Sequence, residues 1–239
     1  MGSVRPTLMA RQALAEFLGS AGLVTVVIGS GIAAQRLSPD DVGLQLLENA
    51  LATGAGLVAL ILAFGPVSGG HFNPVITLAD RLFGGVSNRQ VATYLPAQVL
   101  GGVLGAIAAN LMFDLPAITV STKDRSGGGL WLSEALATFG LVVLVFAVVR
   151  AGRAALAPFA VGAYITAAYW WSSSTSFANP MIDLARTLSD TFAGIAPASV
   201  PMFLLAQLVG GAAAIAAVAV LYPTVTAVAD AVVVPKETS

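Results

Sequence analysis

The sequence predicts an all-α integral membrane protein: six transmembrane helices plus two re-entrant half-helices, arranged as an inverted repeat. Three observations carry this. First, the 239 residues are 57% hydrophobic and only 10% charged, with a mean hydropathy of +0.87, a balance that fits a bilayer-spanning chain and not a soluble domain. Second, six apolar segments have spanning length, at about 13–34, 44–65, 91–113, 131–150, 154–171 and 200–222. Third, Asn73-Pro74 and Asn179-Pro180 each follow a long apolar stretch and head a segment too short to cross.

The first segment carries Glu16 inside its apolar run. Arg5 and Arg11 before it and Gly31-Ile32-Ala33-Ala34 within it imitate a secretory signal, but its length and the return of a glutamate in a later segment argue for a retained span. The second segment runs into Ser68-Gly69-Gly70-His71-Phe72-Asn73-Pro74-Val75. Proline suits the first helical position and an asparagine before it can cap, so a helix starts there at membrane depth. Its span, about 74–83, rises roughly 15 Å, half of a ~30 Å hydrocarbon core. The third segment holds Ala97-Gln98-x-x-Gly101-Gly102.

The stretch Asp114–Gly129, with Lys123, Asp124, Arg125 and three consecutive glycines, is the longest polar connection and the natural midpoint. Beyond it the pattern returns. The fourth segment opens on Ser133-Glu134-Ala135, the fifth runs into Ser174-Thr175-Ser176-Phe177-Ala178-Asn179-Pro180-Met181, a second half-helix is expected over about 180–190, and the sixth holds Ala206-Gln207-x-x-Gly210-Gly211. Residues 1–239 thus form one domain whose halves, about 10–113 and 130–223, each contain three spans and a half-helix. An odd number of spans inverts the second copy, bringing both half-helix N-termini towards the midplane. Seven basic residues (Arg5, Arg11, Arg81, Arg89, Arg150, Arg153, Lys236) fall on the side of the termini against four (Arg36, Lys123, Arg125, Arg186) opposite, which predicts cytoplasmic termini in the plasma (inner) membrane.

Cysteine is absent and there is one histidine, so no disulfide scaffold, thiolate nucleophile, metal site or cofactor is expected. No basic run offers a nucleic-acid footprint. No convergent acid, base and nucleophile suggests an enzyme. A coupled secondary transporter also uses inverted repeats and broken helices, and it stands as the alternative to a channel. It needs an intramembrane ionisable cluster, whereas Glu16 and Glu134 belong to separate repeats.

Non-helical backbone at membrane depth must be buried in protein or line a wet cavity. The carbonyls before each Asn-Pro therefore offer acceptors along a path, the carboxamides of Asn73 and Asn179 offer donors at its centre, and two positive helix ends repel cations. Such a ladder suits small neutral hydrogen-bonding solutes. Glu16 and Glu134, costing roughly 2.5–3.5 kcal/mol in a span if unpaired, are read as braces accepting from the loop of their own half. Gln98 and Gln207 are read as polar clasps at close helix crossings. His71 is expected in the cytoplasmic half of the pore, as a loop hydrogen-bonder before a pH sensor.

At these residues the chain resembles the aquaporins, the major intrinsic protein family, over nearly its whole length. The resemblance implies a homotetramer in the lipid bilayer with one pore per subunit, and a pore centre at Asn73, Pro74, Val75, Asn179, Pro180 and Met181. It also implies that half-helix dipoles or an arginine exclude protons and cations. Both signature tripeptides normally end in alanine; here they end in Val75 and Met181, with Met181 adding flexible bulk where the loops abut. Ile182 stands where the filter arginine is usual, and ungapped counting puts the other filter positions at Thr53, Ala167 and Ser176. Asp183 and Arg186 are expected at the outer mouth, either as an exposed ion pair or as a vestibule that attracts solutes. The function implied is passive conduction of small uncharged solutes (water, glycerol, urea or undissociated metalloid acids such as arsenite) through a wide, arginine-free pore.

Overall fold

A long apolar run in lipid can satisfy its backbone within the segment only as helix, and every spanning segment does so. The computed structural model describes residues 7–223; Arg5 and Lys236, which entered the orientation count, lie outside the described residues. Helix α1 (Leu8–Leu37) is capped by Thr7, and α2 (Val42–Ser68) by the Asp41 carboxylate, which accepts from Leu44 N. The half-helix α3 (Pro74–Phe83) starts at its proline, and α4 (Asn88–Met112) starts from a Ser87/Gln90 capping box. In the second half come α5 (Gly128–Arg150), α6 (Ala157–Trp171), the half-helix α7 (Pro180–Arg186) and α8 (Val200–Leu221).

Five helices, α1, α2, α4, α5 and α8 with the turn before it, are long and apolar enough to cross a membrane. The fifth predicted segment is built differently. A 3₁₀ turn at Ala154–Leu156 leads into α6, whose 15 residues rise only ~22 Å, so the tighter turn supplies part of the crossing. The second half-helix also stops short of its expected end near 190. After Arg186 the backbone leaves the helix to pair with the long midpoint loop, where Thr119 N donates to Leu188 O and Ser121 N to Thr187 O.

Packing repeats in the two halves. α1 lies against α2 and α4 as α5 lies against α6 and α8, and the halves join through α2 with α6, α3 with α8 and α4 with α7. The Gly-Gly pairs explain how. A β-carbon at Gly101 would fall 2.2 Å from the Phe17 carbonyl oxygen, and one at Gly210 would fall 2.1 Å from that of Ala135, so the first glycine of each pair lets two helix backbones touch. The second glycine receives the other half. β-Carbons at Gly102 and Gly211 would lie 2.5 Å from Met181 Sδ and 2.6 Å from Val75 Cγ1. Met181 is therefore not loose bulk between the loops: it is fully buried against α4, and the methyl-poor groove accounts for how side chains larger than alanine fit there. Leucines such as Leu14, Leu18, Leu100, Leu104, Leu205 and Leu208 are exposed on the exterior, the surface that meets lipid acyl chains.

Candidate functional site

Each Asn-Pro loop reaches its helix start through left-handed backbone. The first passes Gly69 and Gly70 at φ of 97° and 66°, then Phe72 at 45°; the second passes Thr175 and Ser176 at 65° and 51°, then Ala178 at 46°. Non-glycine residues adopt this region at a cost of roughly 1–2 kcal/mol each, so these loops are held from outside. Glu16 does this in the first half. Its carboxylate accepts from Ser68 Oγ at 2.6 Å, His71 N at 3.0 Å, Phe72 N at 2.8 Å and Gln98 Nε2 at 2.8 Å. Glu134 accepts from Phe177 N and Ala178 N, both at 2.8 Å, and from Gln207 Nε2 at 2.7 Å. The two glutamines thus clasp brace to half-helix, Gln98 donating also to Thr77 and Gln207 to Asp183. Glu16→Gln and Glu134→Gln should fold with a mild loss, whereas Leu at either position leaves buried donors unpaired at about 1–3 kcal/mol each. Thermal denaturation in detergent of the four variants checks this; equal loss for Gln and Leu would remove the bracing role.

The turned carbonyls of Phe72 and Ala178 face across the midplane. Asn179 Nδ2 donates to Phe72 O and Asn73 Nδ2 to Ala178 O, each at 2.8 Å. Each Oδ1 caps its own helix, accepting from Val75 N at 2.9 Å and Met181 N at 3.1 Å. A carboxamide carries two N–H donors, so one per asparagine is left for the cavity that both line.

That cavity encloses about 60 Å³, room for a few waters at ~10–15 Å³ each. Its walls repeat like the helices: Leu23 and Leu141, Val27 and Val145, Leu57 and Val161, Ile61 and Ile165 contribute matched aliphatic positions. Thr53, Ser176 and Ile182 line it, as the family alignment implies. Ala167 does not; it is exposed on the outer face of α6. Its place is taken by Tyr169, which follows Val161 and Ile165 at helical spacing along the lumen and meets Thr53 Oγ1 at 3.1 Å. Ser176 Oγ has no protein partner and is available to a solute. His71 lines the same cavity.

The exposed ion pair expected of Asp183 and Arg186 does not form. Asp183 is fully buried and accepts from Gln207 on α8. Arg186 is 2% exposed and lines the same cavity, so the lumen is not arginine-free. Its Nε donates to Ala193 O, and its guanidinium lies 3.5 Å from the Phe177 ring centroid. Among the described residues no ion pair joins Asp183 to Arg186, because Gln207 takes one and Ala193 with Phe177 the other. Sequence reasoning missed this because four positions past Ile182 reads as a later turn pointing out of the pore. Arg125, from the midpoint loop, also lies over the Phe177 ring, at 5.0 Å from its centroid, and donates to Gly194 O. Lys123 donates to Phe192 O. Partial burial, then Arg125 and Arg186, pull its ammonium down to about 8, so this mouth carries three positive charges at neutral pH and loses one as the pH rises through 8. The attraction of small anions to the mouth should weaken over that range, and Lys123→Gln should remove the change, as read by anion inhibition of solute flux.

Residues 3–188 match the family model described as Major intrinsic protein. The chain belongs to the major intrinsic protein family. It is 49% identical to the aquaglyceroporin AqpS of Rhizobium meliloti (strain 1021) over 87% of this chain and 88% of that protein. It is 30% identical to aquaporin Z of Photorhabdus laumondii over 64% and 72% respectively. The fold matches the crystal structure of the aquaglyceroporin from Plasmodium falciparum at a TM-score of 0.69 and 19% identity, covering 91% of this chain and 98% of that one. As a major intrinsic protein it is a multi-pass membrane channel for small neutral solutes, passive and not an enzyme. The coupled-transporter alternative gives way accordingly, and the two glutamates that could have served it are each occupied by their loop.

Proposed function

We propose that this channel conducts small uncharged polyols and related solutes, glycerol foremost, together with water, in both directions along their gradients. The observation that carries this is the mixed lining of the lumen, in which aliphatic side chains stand with polar groups from the twin asparagines, Ser176, Thr53 with Tyr169, and Arg186. A carbon-bearing solute can lay its C–H face on the first and exchange hydrogen bonds along the second. The aquaglyceroporin AqpS, with 49% identity, supports the same reading. Urea and undissociated metalloid acids such as arsenite share the size and neutrality of glycerol and belong to the proposed range. The working unit is a homotetramer in the plasma (inner) membrane with cytoplasmic termini, an arrangement favoured by the basic residues at the terminal face. Stopped-flow light scattering on proteoliposomes with water, glycerol, urea and arsenite in parallel tests the proposal. Water flux without glycerol flux would overturn it.

A further inference from the structure

We propose that Arg125, a midpoint-loop arginine outside the lumen lining, is the positioning residue for Arg186, fixing both surfaces on which the lumen-facing guanidinium rests. The inference rests on the solute range proposed above, in which Arg186 limits the passage of glycerol. Among the described residues the Arg186 guanidinium has two supports. Its Nε donates to Ala193 O, and it lies over the Phe177 ring. Neither support is fixed by its own segment. Ala193 belongs to a short turn closed by Gly194 N on Thr191 O at 2.9 Å, and Phe177 stands between Ser176 and Ala178, both in left-handed backbone.

Arg125 reaches both supports. Its Nε donates at 2.9 Å to Gly194 O, the carbonyl next to that of Ala193, and its guanidinium lies 5.0 Å from the Phe177 centroid. Planar peptides leave two soft dihedrals per residue, so only the φ and ψ of Gly194 separate the carbonyl that Arg125 holds from the one that Arg186 uses. Lys123 Nζ donates to Phe192 O at 2.8 Å. Three consecutive carbonyls of one turn, those of Phe192, Ala193 and Gly194, therefore each accept from a different cation, and Arg186 takes the middle one. The turn is also pressed onto the loop that carries Arg125: a β-carbon at Gly194 would fall 2.3 Å from Ser121 Oγ, and Ala196 N donates to Lys123 O at 2.8 Å. Arg125 is anchored in turn. Its N donates to Ser199 Oγ at 3.0 Å, and Nη1 reaches Ser174 O at 3.5 Å. A guanidinium can donate from several nitrogens while lying over a ring, a combination that an ammonium does not reproduce.

In proteoliposomes, Arg125→Met should raise the glycerol-to-water permeability ratio by roughly two- to tenfold, the span that the net contribution of one hydrogen bond allows. Arg125→Lys keeps the charge and loses the fork, and it should move the ratio in the same direction; it carries the test if Arg125→Met fails to insert. In an Arg186→Leu background neither substitution should move the ratio further, because a residue acting through Arg186 then has nothing left to position. An unchanged ratio in Arg125→Met overturns the proposal. So does a ratio fully kept by Arg125→Lys, which would assign the effect to charge alone, or the same shift repeated in the Arg186→Leu background. A spectroscopic readout is independent of the solute. In ¹⁵N-arginine-labelled protein in lipid, the Nε signal that disappears in Arg186→Leu should move in Arg125→Lys, and an unmoved signal overturns the positioning role. A channel that passes no glycerol would sink the solute range proposed above, and this signal would still decide the role of Arg125.

Discussion

Asn179→Asp is expected to turn a pore that rejects cations into one that leaks them, and to lose most of its neutral-solute flux at the same time. The new carboxylate can still accept from Met181 N, so the start of α7 survives. It cannot donate to Phe72 O, which the carboxamide reaches at 2.8 Å; a carboxylate now faces a carbonyl left without its donor, at a cost of about 1–3 kcal/mol before the repulsion is counted. The charge also falls where two positive helix ends meet, the place whose potential keeps cations out. Asn73→Asp should act in the same way through Ala178 O. Parallel measurements of glycerol flux and potassium conductance in reconstituted channels check it. Unchanged values for both, in correctly inserted protein, would mean that the carboxamides do not form the shared centre.

Arg186→Leu should relax the filter. Removing the guanidinium opens the lumen where it lies over Phe177, so glycerol permeability should rise relative to water and cation exclusion should weaken. A compensating exchange makes the result specific. Adding Ile182→Arg to Arg186→Leu moves the charge one turn, ~6 Å, nearer the asparagines, which should restore exclusion and cut glycerol flux more than water flux. In the unaltered background, Ile182→Arg alone would set two guanidinium groups on one wall, and it should depress glycerol flux further still. Equal effects on water and glycerol across all three variants would show that neither position faces the filter.

The fold was legible because lipid leaves few options. Asn-Pro at the head of a segment too short to cross, repeated with the same glutamate and the same Gln-x-x-Gly-Gly, can satisfy its backbone only if the loops turn inward and meet. Thr53, Ser176 and Ile182 followed from family spacing, since the loop before Asn179 and the body of α2 keep that spacing. Ala167 did not. Counting backwards ignores the face of α6, and the stripe Val161, Ile165, Tyr169 was the signal that would have found the tyrosine. Arg186 was harder to see. Its direction is set by Ala193 and Phe177, one beyond the end of α7 and one before its start, and no local pattern links them.

The crossed bonds between the loops also bear on how the protein is made. Asn73 finds its acceptor on Ala178, 105 residues later in the chain. At ~5–20 residues per second of synthesis, that partner emerges roughly 5–20 s after the asparagine. Throughout that interval the first half rests in the bilayer with a bent loop, an uncommitted amide and a carbonyl turned towards nothing. Its brace can hold it, but it cannot finish it. Biogenesis of this channel is therefore a docking reaction between an early half and a late one, and the ribosome sets its tempo.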